Sequence, residues 1–256
     1  MNRFIQESGA IVQVEMVKLL RDPTEMVSRA IQPVLWLVVF GQVLAQVRGI
    51  HTGPLNYLSF ITPGILAQSV LFSAIFYGIA VIWERDLGVV HKLLVSPAWR
   101  GSLVFGKAVA AGLRGVVQAV VIYVIALAMH VSLKLDPLAI LAVLASVMLG
   151  SGIFATFSLI IACIVKTRER FMGIGQLLTM PMFFASNAIY PLDIMPTWLR
   201  VIAQINPLTY LIDALRGLMI EGGESVHGYT VDFAVMLAVF AMLLLIAVRL
   251  YPTLAE

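Results

Sequence analysis

Long apolar runs alternate with short polar breaks along this chain, and their lengths set the first expectation. A helix needs about 20 mostly apolar residues to cross a bilayer. Six stretches approach that length: 30–47, 57–82, 102–130, 137–165, 171–189 and 231–250. The third and fourth run to about 30 residues and, at 1.5 Å per residue, outreach a hydrocarbon core of about 30 Å. They are expected to tilt or to extend into the cytosol. Pro63-Gly64 and Pro181 fall inside expected spans, where kinks are expected.

Residues 2–22 follow another pattern. At 100° per residue, Ile5, Val12, Met16, Leu19 and Leu20 form one stripe, with Arg3, Gln6, Gln13 and Arg21 roughly opposite. The pattern predicts an amphipathic interface helix on the inner leaflet, broken by Asp22-Pro23. Residues 190–229 are too apolar for a solvated loop. Pro196 can start one short helix with Trp198, Leu199 and Ile202 along a side. Asn206 reads as the N-cap of a second, with Pro207 in its first position and Leu208, Leu211, Ile212 and Leu215 at helical spacing. Gly217 or Gly222-Gly223 would end it. Backbone at membrane depth must be helical or protected, so the segment is expected as re-entrant helices on the outer side.

Composition agrees with this patterning. The 256 residues are 61% hydrophobic and 12% charged, against about 25% charged in a soluble domain. The expected class is an all-α integral membrane protein with six transmembrane helices in one domain, 1–256. Cations then set orientation. With the N-terminus inside, the inner segments hold twelve Lys and Arg, from Arg3 to Arg249, and the outer ones only Arg48, Lys134, Arg200 and Arg216. Both termini are therefore expected in the cytosol. The net charge of +3 reads as this asymmetry and not as a nucleic-acid surface. The single cysteine, Cys163, forms no intrachain disulfide. The first 20 residues spread their charges and do not read as a signal peptide.

The chemistry expected from the pattern is sparse. The spans hold almost no ionisable groups, and an ion-coupled carrier would need a buried acid among them. Arg114 is the exception, seven residues after Lys107 on the same helical face, and Asp232 sits at a span edge. Arg114 reads first as a snorkelling or protein-facing group, and second as a grip on an anionic substrate. His51, His91, His130 and His227 show no carboxylate at metal-ligand spacing. No catalytic, metal or cofactor site is expected. Without a Gly-rich phosphate loop of the Walker type, ATP-driven work requires a partner.

One polar break is unusual. "WERDLGVVHKLLVSP" (83–97) lies in the first inner loop. If Trp83 to Val95 is helical, Leu87, Val90 and Leu94 share a face, Glu84 and Asp86 suit the N-terminal dipole, and Ser96-Pro97 ends the helix. Such a peg is shaped to seat in a groove on a soluble protein.

The stretch "ERDLGVVHKLLVSP" resembles the ERE-x-G-T-L-E-x-L-L-V-S-P signature of type-2 ATP-binding-cassette (ABC) transporter permeases. Glu84, Arg85, Gly88, Leu93, Leu94, Val95, Ser96 and Pro97 match; Asp86 is a conservative variant. Val89 stands where the family has Thr, and His91 where it has Glu. "NPLTYLIDALRG" (206–217) is similar to the family's outer segment before the last span, above all in its drug-exporter (daunorubicin-resistance-like) branch. With the spans, the resemblance covers nearly the whole chain.

The resemblance implies ATPase-coupling residues Glu84, Arg85, Asp86, Gly88, Val90, His91, Leu94 and Ser96. It implies a second contact at Lys18 and Arg21 on the interface helix, and an outer gate at Asn206, Pro207 and Tyr210. Phe72, Phe76 and Arg114 are candidates for a substrate path, although aromatic groups in spans equally suit packing. The implied assembly is two permease copies, a homodimer, with two ABC ATP-binding subunits that carry ATP and Mg. It would sit in a plasma membrane of the bacterial inner type and export a hydrophobic or amphipathic drug- or lipid-like cargo; the alternative is a lipid-linked glycan or polysaccharide. A membrane-embedded assembly subunit, with no cargo-stimulated ATPase, is the competing class.

Overall fold

The computed structural model describes residues 2–21, 23–46, 55–165 and 167–255. Arg48, His51 and Lys166 lie outside the described residues. Helices account for almost all of it: α1 (Asn2–Arg21), α2 (Pro23–Leu35), α3 (Gln42–Ala45), α4 (Tyr57–Asp86), α5 (Val89–Val95), α6 (Arg100–Ala128), α7 (Pro137–Ile164), α8 (Arg168–Phe184), α9 (Thr197–Ile205), α10 (Pro207–Met219) and α11 (Tyr229–Leu250). A π-helical segment, Trp36–Gly41, joins α2 to α3, and a 3₁₀ turn, Tyr251–Ala255, follows α11. Among the described residues, β structure amounts to one isolated bridge between Leu133 and Ile220.

Among the described residues, four helices are long and apolar enough to cross a membrane: Tyr57–Asp86, Arg100–Ala128, Pro137–Ile164, and α11 with its extension, Tyr229–Leu254. The first and fifth expected spans fall on shorter elements. The first is interrupted: Pro33 lies inside α2 and the π segment follows three residues later, a combination that loosens the regular ladder. The fifth ends at Phe184 and not near 189, because residues 185–190 turn back against α4. There Tyr57 Oη donates to Ile189 O at 3.3 Å. Pro63 and Pro181 each sit within a continuous helix.

α7 is the hub. It packs on α4, α6, α10 and α11, and Phe154 on it is almost fully buried with Ile61, Leu66 and Ile122 from its neighbours. Small residues bring the backbones together, as is usual where lipid offers no hydrophobic drive to helix pairing. At Gly78 on α4 an added Cβ would meet Ser158 Oγ at 2.2 Å and Phe171 Cζ at 2.5 Å. The same serine accepts from the Gly78 N–H at 3.1 Å and donates to Ile75 O at 2.6 Å. That contact ties α4, α7 and α8 at one level. At 1.5 Å per residue α6 and α7 are each about 42–44 Å long. The bundle therefore has two well-separated ends, one bearing α1 and α5 and the other bearing α9 and α10.

Candidate functional site: the signature loop and the charges behind it

The segment 83–97 is not one helix. α4 continues to Asp86, Leu87 and Gly88 make a turn, and α5 is a separate helix of seven residues. Gly88 explains the break. It takes φ +70°, the left-handed region that a side chain disfavours, and so swings α5 away from the axis of α4. Leu87 is consequently exposed and leaves the face it was expected to share. Val90 is fully buried and Leu94 is half-buried. His91, Lys92 and Val95 point outward, with Val95 87% exposed. Ser96 Oγ donates to Leu93 O at 2.6 Å and closes the helix before Pro97. α5 rests on the Tyr251–Ala255 turn, where Tyr251 is fully buried.

The acidic head of the segment faces inward. Glu84 is 9% exposed. Its two carboxylate oxygens accept from Lys18 Nζ and Lys107 Nζ, both at 2.6 Å. Lys18 also bonds Glu15 at 3.0 Å, Lys107 stands 3.7 Å from Glu15, and Arg114 Nη2 bonds Glu15 at 3.0 Å. The Tyr77 ring lies beneath, 5.5 Å from Lys107 Nζ and 5.0 Å from the Arg114 guanidinium carbon. Two acids and three bases from α1, α4 and α6 thus form one chain of contacts. Burial works against the Lys18 ammonium, yet hydrogen bonding and attraction to Glu84 and then Glu15 hold it above the ordinary lysine value. Lone charges here would be costly; mutual pairing is what makes the cluster tolerable.

α1 is turned to make this possible. Phe4, Ser8, Ile11, Glu15 and Leu19 are its buried or half-buried face, about a quarter turn from the apolar stripe read in the sequence. Ile5 and Leu20 on that stripe are exposed. Contact with α6 is close at Gly106, where a Cβ would meet Ser8 O at 2.9 Å. At the N-terminal end of α1, Glu7 accepts from Trp99 N–H at 2.9 Å and Ser102 Oγ at 2.6 Å. It supplies the start of α6 with the carboxylate that Trp99, as N-cap, cannot. Those two bonds, from Ser102 first and Trp99 next, hold the Glu7 carboxyl below its usual value.

Arg85 and Asp86 point to another neighbour. Asp86 bonds Arg85 at 2.9 Å and Arg168 of α8 at 2.7 Å, and Arg168 stacks over the Trp83 ring at 3.7 Å. Arg21 is exposed at the end of α1. At the far end of the bundle, Asn206 caps α10 through Leu208 N–H at 3.0 Å and donates to Met182 O at 2.6 Å, with Pro207 at the first position. Tyr210 Oη donates to Gln204 O at 2.7 Å. Phe72 and Phe76 line a shallow groove of about 120 Å³ between α4 and α8, with Met172 and Thr179 across from them. Arg114 lies instead in the charge cluster. A wider apolar hollow, about 500 Å³, runs along α2 and the π segment past Trp36 and Phe40.

Glu15 and Lys107 are the members that sequence reasoning missed. The one signal available was the seven-residue spacing of Lys107 and Arg114, which demands a partner on a facing helix without naming it.

Comparison with known proteins places this arrangement. The family described as ABC-2 type transporter matches residues 6–220, from the first turns of α1 to the end of α10. A protein of Cyanophora paradoxa named as a transport permease, ycf38, is 32% identical over 221 residues, which cover 84% of this chain and 74% of the relative. The daunorubicin resistance ABC transporter permease protein DrrB1 of Streptomyces coeruleorubidus is 24% identical over 77% of this chain and 69% of its own length. YbhR of Escherichia coli K12, named as a multidrug ABC transporter permease, is 27% identical over 68% of this chain and 47% of its own. A multi-pass helical chain, with a signature loop braced on a buried charge cluster and a family match over residues 6–220, belongs to the ABC-2 type transporters as a membrane subunit.

Proposed function

We propose that the chain is the permease of an ATP-driven exporter in which α5 receives mechanical work from a separate ATP-binding subunit. The observation that carries this is the contrast within residues 83–97. His91, Lys92 and Val95 are offered outward, while Glu84, two turns back, is fixed by two lysines from α1 and α6. A contact surface mounted on a braced root transmits displacement; one mounted on a loose loop dissipates it as disorder. In this reading α5 and the exposed Arg21 face the ATPase in the cytosol, both termini are cytosolic, and six spans are completed by α2–α3 and α8. Two permease copies assemble with two ATP-binding subunits, which hold ATP and Mg. The outer helices α9 and α10, with Asn206, Pro207 and Tyr210, gate release.

Cargo is read as a hydrophobic or amphipathic drug- or lipid-like molecule. Support comes from the apolar groove at Phe72 and Phe76 and from the names of the two drug-linked relatives. The test reconstitutes the chain with the ATP-binding subunit that copurifies with it and reads cargo-stimulated ATP hydrolysis. Val90 lies in the first turn of α5, where proline is tolerated, so Lys92→Pro is the sharper probe. It removes the Lys92 N–H bond to Gly88 O, 3.3 Å long, at an exposed position. Stimulation should fall at least tenfold while the variant still purifies as a folded membrane protein. Full stimulation with Lys92→Pro would remove α5 from the coupling path.

A further inference from the structure

At the end of the bundle away from α5, three side chains of metal-ligating type converge that the coupling mechanism does not use. Asp213 comes from α10, Asp232 from the first turn of α11, and His227 from the loop between them. One ligand atom from each lies within 4.8 Å of the others. Both aspartates are fully buried and His227 is half-buried. The resolved contacts all use one oxygen of each acid. Asp213 Oδ2 is 2.9 Å from His227 Nδ1 and accepts from the His227 backbone N–H at 2.9 Å. Ser225 Oγ donates to Asp232 Oδ2 at 2.7 Å and stands 3.3 Å from Asp213 Oδ2. Asp213 Oδ1 and Asp232 Oδ1 are buried with no hydrogen-bond partner.

Two buried carboxylates this close repel, and each bare oxygen is costly. Something positive belongs between them. Arg216, one turn on along α10, attracts Asp213 from a distance, but its guanidinium donates to Asn187 O at 2.7 Å and packs on the Phe60 ring at 3.9 Å, so it makes no hydrogen bond to either acid. Glu224 in the same loop adds a further acid. The loop is pressed on α10: a Cβ on Gly223 would meet Arg216 O at 2.3 Å, and one on Gly217 would meet Ser225 N at 3.0 Å. The three ligands are therefore held in place by packing before any ion arrives.

We propose that Asp213, His227 and Asp232 form a divalent-cation site of the zinc class, with Ser225 beside the remaining position. One imidazole and two carboxylates suit a tetrahedral ion at about 2.0–2.2 Å from each donor. Calcium takes six to eight oxygens, and magnesium keeps most of its waters; an imidazole selects against both. The ion fastens the 224–228 loop to α10 and α11 together.

The test uses the full chain in lipid nanodiscs, stripped with a chelator, then titrated with zinc and assayed for bound metal after dialysis. About one zinc per chain should bind saturably, and millimolar calcium or magnesium should not displace it. Asp232→Asn and His227→Gln should each weaken binding by about 100-fold or more, the upper range even for residues behind the ligands. Glu221→Gln, on an exposed neighbour, should bind like the parent. Circular dichroism confirms that each variant is folded. Absence of saturable zinc binding by the parent, or unchanged binding by both folded variants, overturns the site. So does a third outcome: zinc leaves the melting point of the stripped parent unchanged and Asp232→Asn does not alter it either, which shows that the two acids already share a proton. The readout is bound metal, so it stands or falls apart from the transport reading.

Discussion

The two ends of this bundle bury acids in opposite ways. Beside α5, Glu15 and Glu84 are met by Lys18, Lys107 and Arg114, with Lys18 and Lys107 each 2.6 Å from Glu84. Beside α10, Asp213 and Asp232 are met by one histidine and one serine, and an oxygen of each is left bare. The first arrangement is closed within the chain and resists deformation. The second is short of positive charge and is built to accept something. Between them, Ser69 to Gln118 and Gly78 to Ser158 supply neutral hydrogen bonds across the helices.

The largest effect should come from opening the closed end. Glu84→Ala leaves Lys107, 96% buried at its side chain, facing Glu15 alone, and breaking such a pair costs about 3–5 kcal/mol. Thermal unfolding in detergent should show it, and cargo-stimulated ATPase should be lost as well. The sharper form is the double variant Glu84→Gln with Lys107→Met. It should recover most of the stability while transport stays impaired. If the double variant transports normally, the charges serve folding and not coupling. At the open end the sign should differ: Asp232→Asn removes a repelling charge, so stripped protein loses little or no stability while zinc binding falls. Comparable destabilisation at both ends would erase the distinction drawn between them.

Between the ends, Gly78→Ala should cost about 1–3 kcal/mol by overpacking against Ser158 and Phe171, measurable as a lowered melting point with both end clusters intact. The smallest effect is at Glu7. Its folded carboxyl titrates below its usual value, so the stabilisation it gives is present above about pH 4.3 and is lost as pH falls through the folded value. Melting curves of Glu7→Gln should therefore lose part of the acid dependence of the parent, and a parallel acid limb in both proteins would remove Glu7 as its source.

Local pattern carried a good share of this. The N-cap at Asn206, the proline after it and the long third and fourth apolar runs each depend on residues within a turn or two, and each is found where spacing placed it. What was hidden depends on fold-back. Glu84 meets Lys18 across 66 residues and Arg114 meets Glu15 across 99, and no periodicity encodes such partners. His227 looked unpaired because its acids stand 14 residues before and five after it, a spacing that only the loop between α10 and α11 brings together. α1 misled for another reason. Its apolar stripe was real, but its packed face was chosen by Glu15 seeking two cations, not by oil alone.

The isolated bridge between Leu133 and Ile220 has a mechanical meaning. Lys134 N–H bonds Met219 O at 2.8 Å, Glu221 N–H bonds Ser132 O at 3.0 Å, and Lys134 Nζ reaches Gly217 O at 2.6 Å. These stitches weld the tip of α6 to the tail of α10. Since α6 also carries Lys107 and Arg114, the buried charges and this weld share one helix, about 20–32 Å apart along it, so neither can shift along that axis without the other.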